Sequence, residues 1–314
     1  MNLPLVGIKS MGFRTMFGTW VAPGANVTFL GPPGVFESTY TENSRVATLN
    51  AALARCRSAK NDVIFVLPGY AENISTADYA SSLGAGTKII GLGTPGEASA
   101  PVLTWTLGTA SFLLDVADVT IANMTLDWTG IADVLAPMTV SAVGCQMLGN
   151  LIIVQDGAIG ADQGVEVGVG GSGFKFNGNT CTAVDADEPL TGGGVVEISG
   201  AANNIEVLDN YISGAAAATV GLIRVSAAAT NLRIRRNQLM NLETTLGTVA
   251  ILVSSATAMG AVTDNDIKLM TGADPNGADI GISLASATLI LNARNYVVDD
   301  SDLGAILSEP HAGT

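Results

Sequence analysis

Charge is scarce in this sequence: 13% of its 314 residues are Asp, Glu, Lys or Arg, and the acidic ones outnumber the basic 28 to 14. A nucleic-acid binder needs a basic stripe to displace counterions from phosphates, so a formal net charge of −14 argues against that class. Cysteine is scarcer still. Cys56, Cys145 and Cys181 are too few and too scattered for a disulfide framework or a zinc site. Reduced, buried thiols in a chain folded in a cytoplasm are the expectation. Aromatics make up 5%, which leaves little for the ring platforms that glycan binding uses. The one histidine, His311, lies near the C-terminus, so chemistry built on a His-containing triad is not expected.

Clean apolar runs are missing too. The stretches 134–155 and 244–263 are uncharged and long enough to span a bilayer, but Pro137, Gln146, Asn150 and Gln155 interrupt the first and Gly247, Ser254, Ser255 and Gly260 the second. A lipid-spanning helix is more uniformly apolar, and no membrane association is expected. The opening MNLPLVGIKSMGFRTMFGTW lacks a basic head, a clean apolar run and a small-residue cleavage site, so it does not read as a signal peptide.

What is abundant is small and apolar: 48% hydrophobic residues, 37 glycines and a mean hydropathy of +0.41. Either one long core absorbs this, or part of the surface is buried against other chains.

A repeat organises it. The frame centred on Asn237 in NLRIRRNQLMN recurs around Asn150 (CQMLGNLI), Asn179 (FKFNGNTC), Asn210 (IEVLDNYI) and Asn265 (GAVTDNDI). Around Asn295 it is weaker, with Asn292 where an apolar residue is expected, and upstream Met124 takes the asparagine slot in VTIANMTL. Short alternating strands at a period near 28 residues indicate one coil per repeat, and stacked coils form an all-β, right-handed parallel β-helix. About eight coils at roughly 4.8 Å each make a rod on the order of 40 Å long. The asparagine is expected at a bend, tolerating unusual backbone angles and bonding amide to amide along the axis. Residues 46–60 read as a capping helix over the open end, with 62–69 (DVIFVLPG) as first strand of the 61–300 β-helix. Residues 1–45 read as an arm or attachment segment, and 301–314 as a C-terminal cap and tail.

Three arginines in four positions, Arg233, Arg235 and Arg236, look like an anion site until the coils are aligned. One residue before the anchor the coils carry Asp209, Arg236, Asp264 and Arg294; four before it they carry Lys175, Glu206 and Arg233. Both columns alternate in sign, as surface ion ladders would. Arg235 has no evident partner in its column.

Catalytic patterns fail in detail. Gly69-Tyr70-Ala71-Glu72 is one residue short of the Gly-x-Tyr-x-Glu segment of pectin methylesterases. Asp299-Asp300 and Arg233-Ile234-Arg235 stand in the wrong order for a polygalacturonase, whose histidine is also missing. The run GVGGSG at 168–173 lacks the Lys-Ser/Thr ending of a phosphate loop. Two acidic clusters remain, Asp185, Asp187 and Glu188 in one and Asp299, Asp300 and Asp302 in the other. They read as solvated loops, with calcium binding or an acid/base pair as the alternatives. No catalytic residue, cofactor or metal site is assigned.

Corresponding turns hold small residues (GAAN 200–203, AAAT 227–230, SATA 255–258, ASAT 285–288), which suit either tight corners or a smooth face packed on another copy. With TLNAALARCRSAKNDVIFVLPGYAENIS and KIIGLGTPG ahead of the asparagine-anchored coils, the chain resembles right-handed parallel β-helix repeat proteins of the pectate-lyase-like superfold found in tailed-phage structural modules. That resemblance implies a non-enzymatic virion protein on the capsid exterior, made in the host cytoplasm. It would be a homotrimeric decoration or cement protein bound to the major capsid protein or other shell proteins through residues 1–45. A polysaccharide-degrading β-helix enzyme, or a tailspike or adhesin binding surface glycans, is the alternative.

Overall fold

The computed structural model describes residues 25–31, 45–299 and 305–307, apart from 81–82, 131–133, 157–158, 185–188, 218, 244–247, 271–279, 285–286 and 288. Each strand of the repeat pairs in parallel with its counterpart one period away; Glu206, for example, lies between Lys175 and Arg233. One coil shows the path. It runs through Glu206–Leu208 on face 1, Tyr211–Gly214 on face 2 and Ile223–Val225 on face 3, then returns to face 1 at Leu232–Arg235. The sheets on these faces hold 11, 11 and 7 strands respectively. The protein is thus an all-β parallel β-helix of about seven turns. Alternation drives it: in Ile223-Arg224-Val225 the outer two side chains are buried and the middle one faces out.

The turn count is slightly below the expected eight because face 3 starts late. Between Ala71–Ile74 and Lys88–Gly91 the described chain gives face 3 only an isolated bridge, Tyr79 to Phe112. Face 1, by contrast, starts early. Val27–Leu30 pairs in parallel with Val63–Val66, and Arg45–Val46 pairs along its other edge. The sheet therefore begins inside the stretch read as an arm, ahead of DVIFVLPG. Its residues alternate: Leu30 enters the main core, while Phe29 joins Val63, Phe65, Leu67 and Ile90 in a second buried cluster on the sheet's other side. Residues 1–24 and 32–44 lie outside the described residues.

The helix expected over 46–60 is limited to Leu49–Leu53. Thr48 caps it, Oγ1 accepting from the Ala51 N–H at 3.2 Å. Leu49, Ala52 and Leu53 are fully buried in the coil core, beside Val27–Leu30 and Arg45–Val46. The helix stops at Ala54, and the chain then turns through left-handed Ala59 and Asn61 before the strand Val63–Val66. At the other end Ala305–Leu307 pairs antiparallel with Tyr296–Val298, and the rest of 301–314 lies outside the described residues. No helix among the described residues is long and apolar enough to cross a membrane. Trp105 and Trp128 are both fully buried and meet edge to face at 6.3 Å, so they serve the core rather than a sugar platform.

Candidate functional site

The most ordered polar feature is internal. Asn150, Asn179, Asn210, Asn237, Asn265 and Asn295 stack along the axis, each at most 5% exposed. Each side-chain amide donates to the next anchor's Oδ1, at 2.8–3.2 Å. Its second N–H donates to a backbone carbonyl of the preceding coil, as Asn237 does to Val207 at 2.9 Å. Each Oδ1 also accepts the backbone N–H of the anchor before it. Two donors and two acceptors are all used, which makes the buried amide column tenable. The ends are terminated differently. Met124 fills the first slot and offers only its backbone N–H, to Asn150 Oδ1 at 3.0 Å. Among the described residues no anchor follows Asn295, and Asn292 supplies the missing acceptor at 2.7 Å. The residue that looked like a flaw in the repeat ends the ladder.

The unusual backbone lies one residue earlier than expected. Asn123, Gly149, Gly178, Asp209, Arg236, Asp264 and Arg294, each just before an anchor, have φ between 55 and 66°. A two-residue corner thus joins faces 1 and 2: one left-handed residue, then a buried anchor.

That corner and the face 1 strands leading into it present charges outward, and they pair along the axis. Glu206 sits between Lys175, at 3.6 Å, and Arg233, at 3.2 Å. Arg236 forms a two-pronged contact with Asp209, at 2.7 and 2.8 Å. Asp264 meets Arg294 at 2.6 Å and also Arg235, at 3.4 Å. The second column is therefore two separate units, and Arg235 has a partner that column counting missed. Hydrogen bonds from Arg236 and from Arg294 hold the carboxyls of Asp209 and Asp264 below the usual range. A shallow groove of about 220 Å³ crosses the first unit, lined by Gly173, Lys175, Asn204, Glu206, Asn231 and Arg233.

The Gly69–Glu72 segment is structural. Glu72 accepts hydrogen bonds from the hydroxyl of Tyr70, from Tyr79 at 2.6 Å and from the Leu49 N–H at 2.7 Å, tying the helix to face 2. Burial, and then the neighbouring carboxylate, push both phenols far above their ordinary value, so neither is poised as a base. The thiols are similarly quiet: burial raises Cys56 and Cys145 to about 11, and raises Cys181 as well.

One constellation escaped the sequence reading. On face 3 the outward column runs Thr139, Glu166, Glu197, Arg224. Glu166 and Glu197 are neighbours across one strand spacing, breaking the sign alternation seen on face 1. Each accepts from a serine of the following turn, Ser199 and Ser226, both at 2.8 Å. Arg224 approaches Glu197 at 3.6 Å and donates to the Gly192 carbonyl at 3.1 Å. Glu197 is only 5% exposed because Gly193 lies against its carboxylate, where a Cβ would collide. Aligning VEV (165–167), VEI (196–198) and IRV (223–225) would have shown this column.

Asp185, Asp187 and Glu188, together with Asp300 and Asp302, lie outside the described residues, as does the side chain of Asp299. Among the described residues no group of three or more His, Cys, Asp or Glu is placed to hold a metal ion. The small-residue turns each sink one alanine into the core, namely Ala202, Ala229, Ala258 and Ala287, and leave Ala201, Ala228 and Ala256 exposed. No family model, curated protein or solved structure matches the chain.

Proposed function

We propose that this chain is a non-enzymatic structural protein of a virion, a homotrimeric decoration or cement protein on the exterior of a tailed-phage head. The observation that carries a structural role is the continuous asparagine ladder, flanked by axial ion pairs. Together they spend the polar groups of the face 1 corner on rigidity along the rod. The face 3 to face 1 turns expose Ala201, Ala228 and Ala256 together with Val143 and Val169, the last two at 53% and 76%, low-charge surface suited to contact with shell proteins or another copy. Attachment is assigned to the N-terminal segment, here narrowed to residues 1–24 because Val27–Leu30 belongs to the sheet.

Light scattering tests the assembly state: a native mass of three copies of 31.9 kDa supports it, and a monomer at all concentrations sinks the trimer. Antibody to the purified chain should label the heads, not the tails, of the particles that carry it.

The Glu166–Glu197–Arg224 column favours a second reading, glycan turnover by a carboxylate pair. Release of reducing ends from a capsular polysaccharide, abolished in Glu197→Gln with the fold intact, would replace the structural reading.

A further inference from the structure

The charged columns of faces 1 and 3 are paired within the protein, Glu206 with Lys175 and Arg233, and Glu197 with Arg224. Face 2 carries a column that is not. The residues directly after the asparagine anchors stand in register on successive strands there, in the order Thr180, Tyr211, Gln238, Asp266, Tyr296. All five are exposed, Tyr211 at 36% and Tyr296 at 50%. Every other aromatic side chain among the described residues is buried. None of the five side chains has a hydrogen-bond or ion-pair partner among the described residues.

The ladder holds this column in place. The backbone N–H of Tyr211 donates to the Asn179 carbonyl at 3.0 Å, and those of Gln238, Asp266 and Tyr296 donate to Asn210, Asn237 and Asn265, each at 2.8 Å. Side chains mounted on so regular a frame are set out in advance of any ligand. The two rings lie three strand spacings apart, about 14 Å. Between them Gln238 offers both donors and an acceptor, and Asp266 offers acceptors. A protein partner is met best by contiguous apolar surface; here two rings are separated by hydrogen-bonding groups along a straight line. That sequence of chemistries suits a chain of sugar rings. The C–H face of a pyranose lies against a tyrosine ring, its hydroxyls meet the amide and carboxylate, and an extended chain advances by about one strand spacing per unit. The sugar is uncharged, because Asp266 lies at the centre of the strip and the whole chain carries −14.

We propose that the column Tyr211, Gln238, Asp266, Tyr296 on face 2 is a binding site for an uncharged, extended polysaccharide lying along the rod axis. This goes beyond the structural role proposed above and does not depend on the assembly state. A rod fixed to a particle would use such a strip to hold that particle to a glycan surface.

The test is binding of the labelled full chain to an array of immobilised neutral hexose oligosaccharides and uronate oligosaccharides, each in graded lengths. Neutral oligomers should bind, and uronates of the same length should not. Oligomers of roughly four units or more reach both rings, so for these Tyr211→Ala and Tyr296→Ala should each weaken binding between about twofold and tenfold, and the two together more than either. Tyr211→Phe with Tyr296→Phe, which keeps the rings, should retain binding; Arg233→Ala on face 1 and Glu197→Gln on face 3 should bind as wild type does. A cooperative urea transition in each variant excludes misfolding as the cause of a loss. The proposal is overturned if no neutral oligomer binds, if only uronates bind, or if binding survives in the chain carrying both alanine substitutions. Should the alanine pair instead abolish attachment to phage heads while no glycan binds, face 2 is a shell contact: the glycan site falls and the structural role stands. A monomer by light scattering, with neutral oligomers bound, sinks the trimer and leaves this site standing.

Discussion

At the scale of single residues, the end of the asparagine ladder gives the sharpest test. Asn292→Leu would restore the repeat's expected apolar residue, the kind of consensus change that usually stabilises. Here it removes the acceptor for Asn295 Nδ2, a buried donor. Leaving it unmatched costs about 1–3 kcal/mol, so the urea midpoint should fall; a midpoint at or above wild type would show that the ladder needs no terminator. The titrating residues set an alkaline limit. An unfolded chain releases its cysteine protons near the ordinary 9.0, whereas the folded one holds those of Cys56 and Cys145 until about 11. Above pH 9 the unfolded state binds fewer protons, so stability falls as pH rises to 11. Tyr70 and Tyr79, raised above 10.0 by burial and by Glu72, extend the loss upward. Urea midpoints at pH 8 and pH 10 should show the decline. At pH 8 a thiol reagent should modify the native chain far more slowly than the unfolded one.

At the scale of strands and corners, the ion pairs separate into units that a double-mutant cycle can resolve. Asp209→Ala and Arg236→Ala should couple by a few tenths to about 1 kcal/mol, the range for exposed cross-strand pairs. Asp264→Ala should couple to Arg236→Ala much more weakly than Asp209→Ala does, because its direct contacts go to Arg294 and Arg235. Coupling of Asp264 to Arg236 equal to that of Asp209 would restore the continuous column that alignment alone suggests. The difference marks what was legible in sequence. Parallel stacking turns a period into a neighbour list, so the anchors, the face 1 columns and the alternating strands could be read from Asn150 to Asn295. Side-chain reach is not periodic. A long guanidinium chooses among carboxylates ahead, behind and beside it, which is how Arg235, at the end of its strand, reaches Asp264 on the next coil. Glu166 and Glu197 stayed hidden for another reason: their strands carry no asparagine anchor, and like charges side by side did not fit the alternation being sought. Val27–Leu30 was missed because 32 residues separate it from Val63–Val66, with only the helix Leu49–Leu53 and a two-residue strand described between them.

At the scale of the whole molecule, that early strand decides where the rod begins. An open parallel sheet ends in a strand with one unpaired edge, and an exposed strand edge invites pairing with other chains. Val63–Val66 would be such an edge without its neighbour. Val27–Leu30 pairs with it over four residues and stacks Phe29 on Phe65 at 5.9 Å. Asp62 reinforces the join: it accepts from the Asn26 N–H at 2.6 Å and from the Arg57 guanidinium at 2.8 Å. Burial alone would raise its carboxyl, but these contacts hold it below the ordinary range. Removing residues 1–45 would strip the strand, bare Phe65 and leave Asp62 with fewer donors. That chain should melt lower and aggregate during purification, whereas removal of residues 1–24 keeps the strand and its hydrogen bonds. Thermal melts of the two truncations against the full chain measure the difference. Equal melting temperatures for the 1–45 deletion and the full chain would mean that the rod's first structural strand is Val63–Val66 after all, and that residues 25–45 contribute nothing to its stability. A lowered melt confined to the longer deletion would show that residues 25–45 belong to the rod.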